Sequence, residues 1–192
     1  MAGLKDYSSE FNPDIEFEDF DKETCIRLAK AYMKLYQLMD ARWYHTTEKM
    51  LGWERVLGEC EVAVWKELAR DEPREICKAL NIKGNDVAAF FKYMQFIPGA
   101  FRTHYKINYE FVDGDKNHGI MTVETCPTLD WYEQRGYKDE WIRKMCEVEY
   151  PVWPVYAKYL NPDIEMTCLK IPPRKSSAEV ACKWDVKVVP KT

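Results

Sequence analysis

Apolar residues recur every three or four positions through the first half of the chain, a spacing that is typical of amphipathic helices. A first helix is predicted to start at Asp21, a suitable N-cap, and to end at Gly52. A second apolar stripe runs from Trp53 to Leu68, and Pro73 is expected to end or kink that helix. A shorter helix is predicted over residues 87–96.

The pattern then changes to strict alternation of apolar and polar residues, which is typical of a half-buried strand. This alternation predicts a strand over residues 101–111. Asp113-Gly114 has the composition of a turn, so residues 119–125 are predicted to be the antiparallel partner.

Helical spacing returns over residues 129–159, with a break at Gly136, and two further strands are predicted over residues 164–171 and 179–188. This order predicts an α+β fold, in which N-terminal helices pack on a four-stranded antiparallel sheet and a helix lies between the two strand pairs.

The division of the chain follows from composition. Residues 1–20 are acidic and irregular and are expected to form an arm, while residues 21–192 are expected to form one α+β domain. Within that domain, residues 21–98 are the predicted helical half and residues 99–190 the predicted sheet half.

Charge and hydropathy narrow the classes of partner. The 192 residues carry a formal net charge of −4, which argues against sequence-independent binding of nucleic acid. We find no apolar run of membrane-spanning length and no signal-peptide core, so a cytoplasmic location without membrane association is expected. Self-association into a homo-oligomer is compatible with these properties.

Four of the seven cysteines lie in the C-terminal half, at or near the ends of predicted elements: Cys126, Cys146, Cys168 and Cys182. Glu149 follows Cys146 by three residues, so the two should project from one face of a helix. Cys168 and Cys182 are expected to be cross-strand partners. Thiolates are strong zinc ligands, and these five residues are candidate ligands, although free cysteines also serve as small buried apolar residues.

His45 and Glu48 are three residues apart on the first predicted helix and share a face, as an acid–base pair would. A glutamate held against Trp43 and Trp53 would serve as a general base. Trp43, His45, Trp53 and, on the last strand, Trp184 are therefore the candidate pocket residues.

Several short motifs together resemble a known family. They are the segment 119–126, Arg135-Gly136, Cys146, the segment 160–165 with its Asn-Pro-Asp-Ile-Glu run, Pro172-Pro173 and Cys182-Lys-Trp184. In these motifs the chain resembles an uncharacterised family of small cytosolic prokaryotic proteins. That family is similar to the L-2-amino-thiazoline-4-carboxylic acid hydrolases. The resemblance covers roughly residues 25–188.

The chain is also similar, more distantly, to the 4-vinyl reductase type domain, a small-molecule sensor module. That resemblance implies a zinc site built from Cys126, Cys146, Glu149 and Cys182, with Cys168 competing with Glu149 for the fourth place.

Two functions are expected from these resemblances. The first is a hydrolase-like enzyme that acts on an amide- or thiazoline-type C–N bond, with Glu48 or Glu149 moving the proton. The second is a sensor or accessory module that binds a small molecule and uses zinc only as a structural element.

Overall fold

The computed structural model describes residues 3–100 and 104–190. Within them, the helices are α1 Lys22–Leu51, α2 Trp53–Arg55, α3 Val62–Leu80, α4 Val87–Met94, α5 Pro127–Gln134, α6 Asp139–Glu147 and α7 Glu149–Leu160. A π-helical segment, Val56–Glu61, joins α2 to α3. The strands are β1 Lys106–Phe111, β2 His118–Thr125, β3 Ile164–Lys170 and β4 Cys182–Val188. None of the helices in these ranges combines the length and apolar composition that crossing a bilayer requires.

The four strands form one antiparallel sheet in the order β1-β2-β4-β3. The helices α1 to α4 precede the sheet in the chain, and α5 to α7 lie between the two strand pairs. The predicted α+β class, with its four-stranded antiparallel sheet, is confirmed.

The chain divides into two compact units, Met1–Trp43 and Tyr44–Thr192. In the first unit, a chain segment that is mostly exposed folds back on the start of α1. Leu4 donates its N–H to the Asp19 carbonyl at 2.8 Å, and Asp21 donates to the Leu4 carbonyl at 3.0 Å. The second unit contains the sheet and the large hydrophobic core.

The ends of α1 agree with the sequence signals. The Asp21 carboxylate accepts a hydrogen bond from the N–H of Thr24 at 2.7 Å, as an N-cap does. Gly52 follows α1 with a φ of 81°, a conformation that glycine adopts at little cost.

Pro73, in contrast, does not end its helix. It is buried inside α3, which continues to Leu80, because packing of its neighbours outweighs the loss of one helical hydrogen bond.

Helix α4 packs on the sheet through Phe91. The Phe91 ring lies 4.9 Å from the ring of Tyr109 and 5.7 Å from that of Phe111. Gly119 on β2 leaves space for this ring, since a Cβ atom there would lie 2.5 Å from Phe91 Cε2. The absence of a side chain at position 119 therefore allows α4 to approach the sheet closely.

The Asn-Pro-Asp-Ile-Glu run forms the turn from α7 to β3. Its Asn161 is buried, donates from Nδ2 to the Asn85 carbonyl at 2.7 Å, and accepts the N–H of Asp163 at 2.9 Å. These bonds fasten the turn to the loop that precedes α4, so the described contacts of Asn161 are structural.

Several element boundaries differ from the predictions. The long predicted helix is broken at Gly136, as expected, but it divides again at Val148 into α6 and α7. The last strand begins at Cys182 rather than at residue 179. The predicted first strand begins, within the described residues, only at Lys106, and residues 101–103 lie outside the described ranges.

The expected pairing of Cys168 with Cys182 is wrong. Cys168 is opposite Trp184, and the register shifts between Cys168 and Lys170. The predicted pairing assumed a symmetric turn between β3 and β4, which would place the two thiols opposite each other. The loop of residues 171–181 and the irregularity in β3 displace the strands from that register.

Candidate functional site

Three of the candidate cysteines and Glu149 lie at the ends of elements that meet in the second unit. Cys126 is the N-cap of α5, and its Sγ accepts the N–H of Leu129 at 3.4 Å. Cys146 lies near the end of α6, Glu149 is the first residue of α7, and Cys182 is the first residue of β4. We call these four residues the thiol cluster.

Charges within the thiol cluster are close enough to shift the pKa values of its three thiols. Burial raises the pKa of Cys146, and the charges of Cys126, Cys182 and Glu149 raise it further. Burial likewise raises the pKa of Cys182, with Cys126 and Glu149 adding to the effect. Burial raises the pKa of Cys126 to about 11. The three thiols are therefore protonated at neutral pH, and every charge that ranks among the main influences on them is negative.

Two aromatic side chains border the thiol cluster. Tyr105, directly before β1, shares a hydrogen bond of 2.8 Å with Thr128 Oγ1, and burial together with the nearby charge of Cys126 raises its pKa. The indole nitrogen of Trp184 is buried and makes no hydrogen bond within the described residues, yet its proximity to Cys182 lowers that thiol's pKa. A thiolate accepts hydrogen bonds better than a thiol, so this N–H favours ionisation of Cys182.

Cys168 lies beside the cluster on β3. Its thiol donates to the Lys170 carbonyl at 3.3 Å, and Tyr150 is near enough to lower its pKa. Burial raises its pKa, and its charge raises the pKa of Cys182. Its thiol already has partners of its own, and Glu149, unlike Cys168, acts on all three cysteines of the thiol cluster.

An arginine fixes the loop of residues 171–181 against α5. The Arg174 side chain is 1% exposed, pairs with Asp130 and donates from Nη2 to Glu133 at 2.8 Å. Its Nη1 also donates to the Glu179 carbonyl at 3.2 Å. Both carboxylates also lie near the thiol cluster, since Asp130 raises the pKa of Cys126 and Glu133 that of Cys146. Arg174 was not singled out from sequence, because no local motif marks it.

The donor types of the thiol cluster are those that zinc takes in proteins. In the described ranges, however, no group of three or more His, Cys, Asp or Glu side chains has its donor atoms placed to hold a metal ion as they stand.

A second group of polar side chains lies near the N-terminal end of the second unit. It consists of Tyr44, His45, Glu48 and Glu61, and we call it the second cluster. His45 Nδ1 and Glu48 Oε2 are 3.2 Å apart on α1. Tyr44 is buried beside them, and burial together with the charges of Glu48, Tyr132 and Glu61 raises its pKa. Glu61, buried in the π-helical segment, accepts a hydrogen bond of 2.7 Å from the indole N–H of Trp65. Polar groups of α1, the π-helical segment and α3 thus converge near Tyr132 of α5.

An open groove lies next to this cluster, with a volume of about 530 Å³. Its walls come from α2 and from the region between α5 and the first part of α6. The lining residues are Trp53, Glu54, Arg135, Gly136, Tyr137, Lys138, Glu140, Trp141 and Lys144.

The model of a family of unknown function, DUF6125, matches residues 18–188. The chain belongs to this family. No curated protein and no solved structure matches the chain significantly. The similarities to thiazoline hydrolases and to the 4-vinyl reductase type domain therefore stay predictions.

In this DUF6125 protein, the predicted site residues fall in different places. Glu48 and His45 belong to the second cluster, Trp53 lines the groove, and Trp184 is buried beside Cys182. Trp43 lies in the first unit and is 38% exposed.

The sequence reasoning missed Tyr44 and Glu61, which the second cluster brings together with Glu48. In sequence they look like members of apolar helical stripes or of a solvated helix face. The only local signal was the unusual mixture of glutamates and apolar residues in the segment that forms the π-helix, where extra residues often mark a functional site.

Proposed function

We propose that the protein is a small-molecule-binding protein of the sensor or accessory type, with a structural zinc site in the thiol cluster. Cys126, Cys146 and Cys182 would supply three thiolates, and Glu149 would supply the fourth ligand. The observation that carries this proposal is that the charge of Glu149 raises the pKa of all three thiols, so that groups from the N-cap of α5 and from α6, α7 and β4 lie close together.

Electrostatics support a cation in this place. Bringing several acidic groups together in a buried region is costly unless they stay protonated or a cation compensates their charge. A divalent metal would do so, because binding replaces the thiol protons and turns mutual repulsion into attraction.

The chemistry of the thiols supports a structural rather than a catalytic role. A cysteine nucleophile needs a lowered pKa, whereas the pKa values of all three cluster thiols are raised. A site with four protein ligands is closed and leaves no position for a substrate. The hydrolase expectation, with Glu48 as the base, is therefore the weaker of the two.

Metal analysis of the purified full-length protein tests the zinc site. We expect one zinc ion per chain in the wild type, and loss of stoichiometric zinc in Cys126→Ser, Cys146→Ser and Cys182→Ser, because each change removes a thiolate. Cys60→Ser is the matched control, since Cys60 lies outside the thiol cluster on the π-helical segment; it should keep its zinc.

Folding is measured in parallel by circular dichroism, and zinc affinity by competition with a chromophoric chelator. If the wild type takes up no stoichiometric zinc after incubation with the metal, the proposed site is wrong. It is equally wrong if the three variants are folded and bind zinc as tightly as the control.

We further propose a cytoplasmic location. All seven cysteines are free thiols, and reducing compartments keep cysteines in that state. Fractionation of the source cells with an antibody to the protein tests this point.

A further inference from the structure

The open groove between α2 and the start of α6 has the composition of a binding site for a small aromatic anion. Three half-buried aromatic side chains line it: Trp53, Tyr137 and Trp141. Flat aromatic walls favour a planar ligand, because stacked and edge-on ring contacts add to the burial of apolar surface.

The aromatic walls are held in place by their neighbours. The Trp141 ring lies 4.4 Å from the ring of Tyr132 and 4.6 Å from that of Tyr137. Tyr132 is buried, so one side of the wall is anchored in the core of the second unit. A wall that is ordered before binding loses little entropy when a ligand packs on it.

Basic groups are in excess in the lining. Arg135, Lys138 and Lys144 face two acidic residues, Glu54 and Glu140. Glu140 already forms an ion pair with Lys144, whose Nζ lies 3.7 Å from Glu140 Oε1. The net charge of the lining is thus opposite in sign to the net charge of −4 on the whole chain.

The cations differ in how far they are engaged. Arg135 stacks on Trp131, with Cζ 3.8 Å from the ring centroid, and donates to the Trp131 carbonyl at 3.3 Å. Lys144 Nζ lies 5.2 Å from the ring centroid of Trp53. The Lys138 side chain has neither an ion-pair nor a hydrogen-bond partner within the described ranges. A ligand carboxylate at this point would therefore find the Lys138 side chain free, and it would share Lys144, which lies next to an aromatic wall, with Glu140.

We propose that this groove binds a small aromatic carboxylate. The ring of the ligand would pack against Trp53 and Trp141, and its carboxylate would pair with Lys138 and Lys144. The proposal concerns a different surface from the thiol cluster, so its failure and that of the zinc proposal are distinguishable.

Three probes that share one ring system test the chemistry: indole-3-acetate, which is anionic, indole, which is neutral, and tryptamine, which is cationic. Isothermal titration calorimetry on the full-length protein measures their Kd values. We expect indole-3-acetate to bind at least about tenfold more tightly than indole and tryptamine, because only the carboxylate makes charge-assisted hydrogen bonds to the lysines. Its affinity should fall at high salt, since the groove is open to solvent.

Lys138→Gln and Lys144→Gln should each weaken indole-3-acetate about fivefold or more, while leaving the weak binding of indole unchanged. Trp53→Leu should weaken all three probes together. Lys92→Gln, an exposed lysine on α4 that does not line the groove, is the matched control and should bind as the wild type does. Circular dichroism checks that each variant is folded.

Equal affinity for indole-3-acetate and tryptamine would overturn the proposal, as would wild-type affinity for indole-3-acetate in the folded Lys138→Gln, Lys144→Gln double variant. Failure of all three probes to bind at millimolar concentration would overturn it as well.

Discussion

At the scale of single residues, Glu72 stands out as a buried carboxylic acid in the contact between α3 and α7. The Tyr156 hydroxyl donates to Glu72 Oε2 at 3.3 Å. Burial raises the pKa of Glu72 to about 7, and the hydrogen bond from Tyr156 offsets only part of this effect. Near neutral pH, the protein therefore holds a proton at this position that an unfolded chain would release.

This proton makes stability depend on pH in a defined direction. The folded-state pKa of Glu72 lies above its unfolded value, so the folded form binds the extra proton between about pH 4.5 and 7. The free energy of unfolding should fall as pH rises through that window, by up to about 3 kcal/mol, and Glu72 should contribute no further change above it. Urea denaturation at a series of pH values measures the curve.

Glu72→Gln keeps an acceptor for Tyr156 and removes the titration, so it should flatten this part of the curve and stabilise the protein at pH 8. Glu67→Gln, an exposed change on the same helix, is the control. A Glu72→Gln variant with the pH profile of the wild type would contradict the assignment.

At the scale of elements, the sequence predicted correctly those features that depend on residues close together in the chain. The N-cap at Asp21, the breaks at Gly52 and Gly136 and the alternation in β2 depend on neighbours in sequence, and each was visible there. The register of β3 on β4 was predicted wrongly, because it depends on the irregularity in β3 and on the conformation of the loop between the two strands, which no local pattern marks.

The same distinction applies to the candidate sites. The cysteines of the thiol cluster could be chosen from their chemistry and from family resemblance. The groove could not, because its walls come from residues 53–54 and 135–144, which only the folded chain brings together.

The contact between α4 and β2 gives a prediction at this scale. Gly119→Ala should destabilise the protein by about 1–3 kcal/mol, because the added Cβ would overlap the Phe91 ring and lie 2.9 Å from the Glu110 carbonyl oxygen. The measurement is the urea midpoint. Gly58→Ala is the matched control, since no atom lies within 4 Å of a Cβ at that position.

A double-mutant cycle with Phe91→Leu separates the causes. If the clash with the ring is responsible, Gly119→Ala should cost less in the Phe91→Leu background than in the wild type. An unchanged cost in both backgrounds would instead place the conflict with the backbone of β1.

At the scale of the whole molecule, the thiol cluster takes its residues from α5, α6, α7 and β4. A metal held there would connect three helices to the sheet by bonds that form only in the folded chain. Zinc would then stabilise the native state by mass action, since the unfolded chain has no such site.

Removing the metal should therefore lower Tm. With free zinc about a thousandfold above its Kd, the expected loss is about 4 kcal/mol, or about 10 °C for a chain of this size. Differential scanning calorimetry with added zinc and with a chelator measures the difference. Cys126→Ser should show no such difference, and an equal Tm for the wild type in both buffers would contradict a structural zinc.

The ring of Phe91 on α4 fills the volume that a side chain at position 119 on β2 would need. Positions 91 and 119 should therefore vary together among related sequences. Across DUF6125 sequences, glycine at the equivalent of 119 should accompany an aromatic residue at the equivalent of 91. Lineages that acquire a side chain on the strand should carry a smaller residue on the helix.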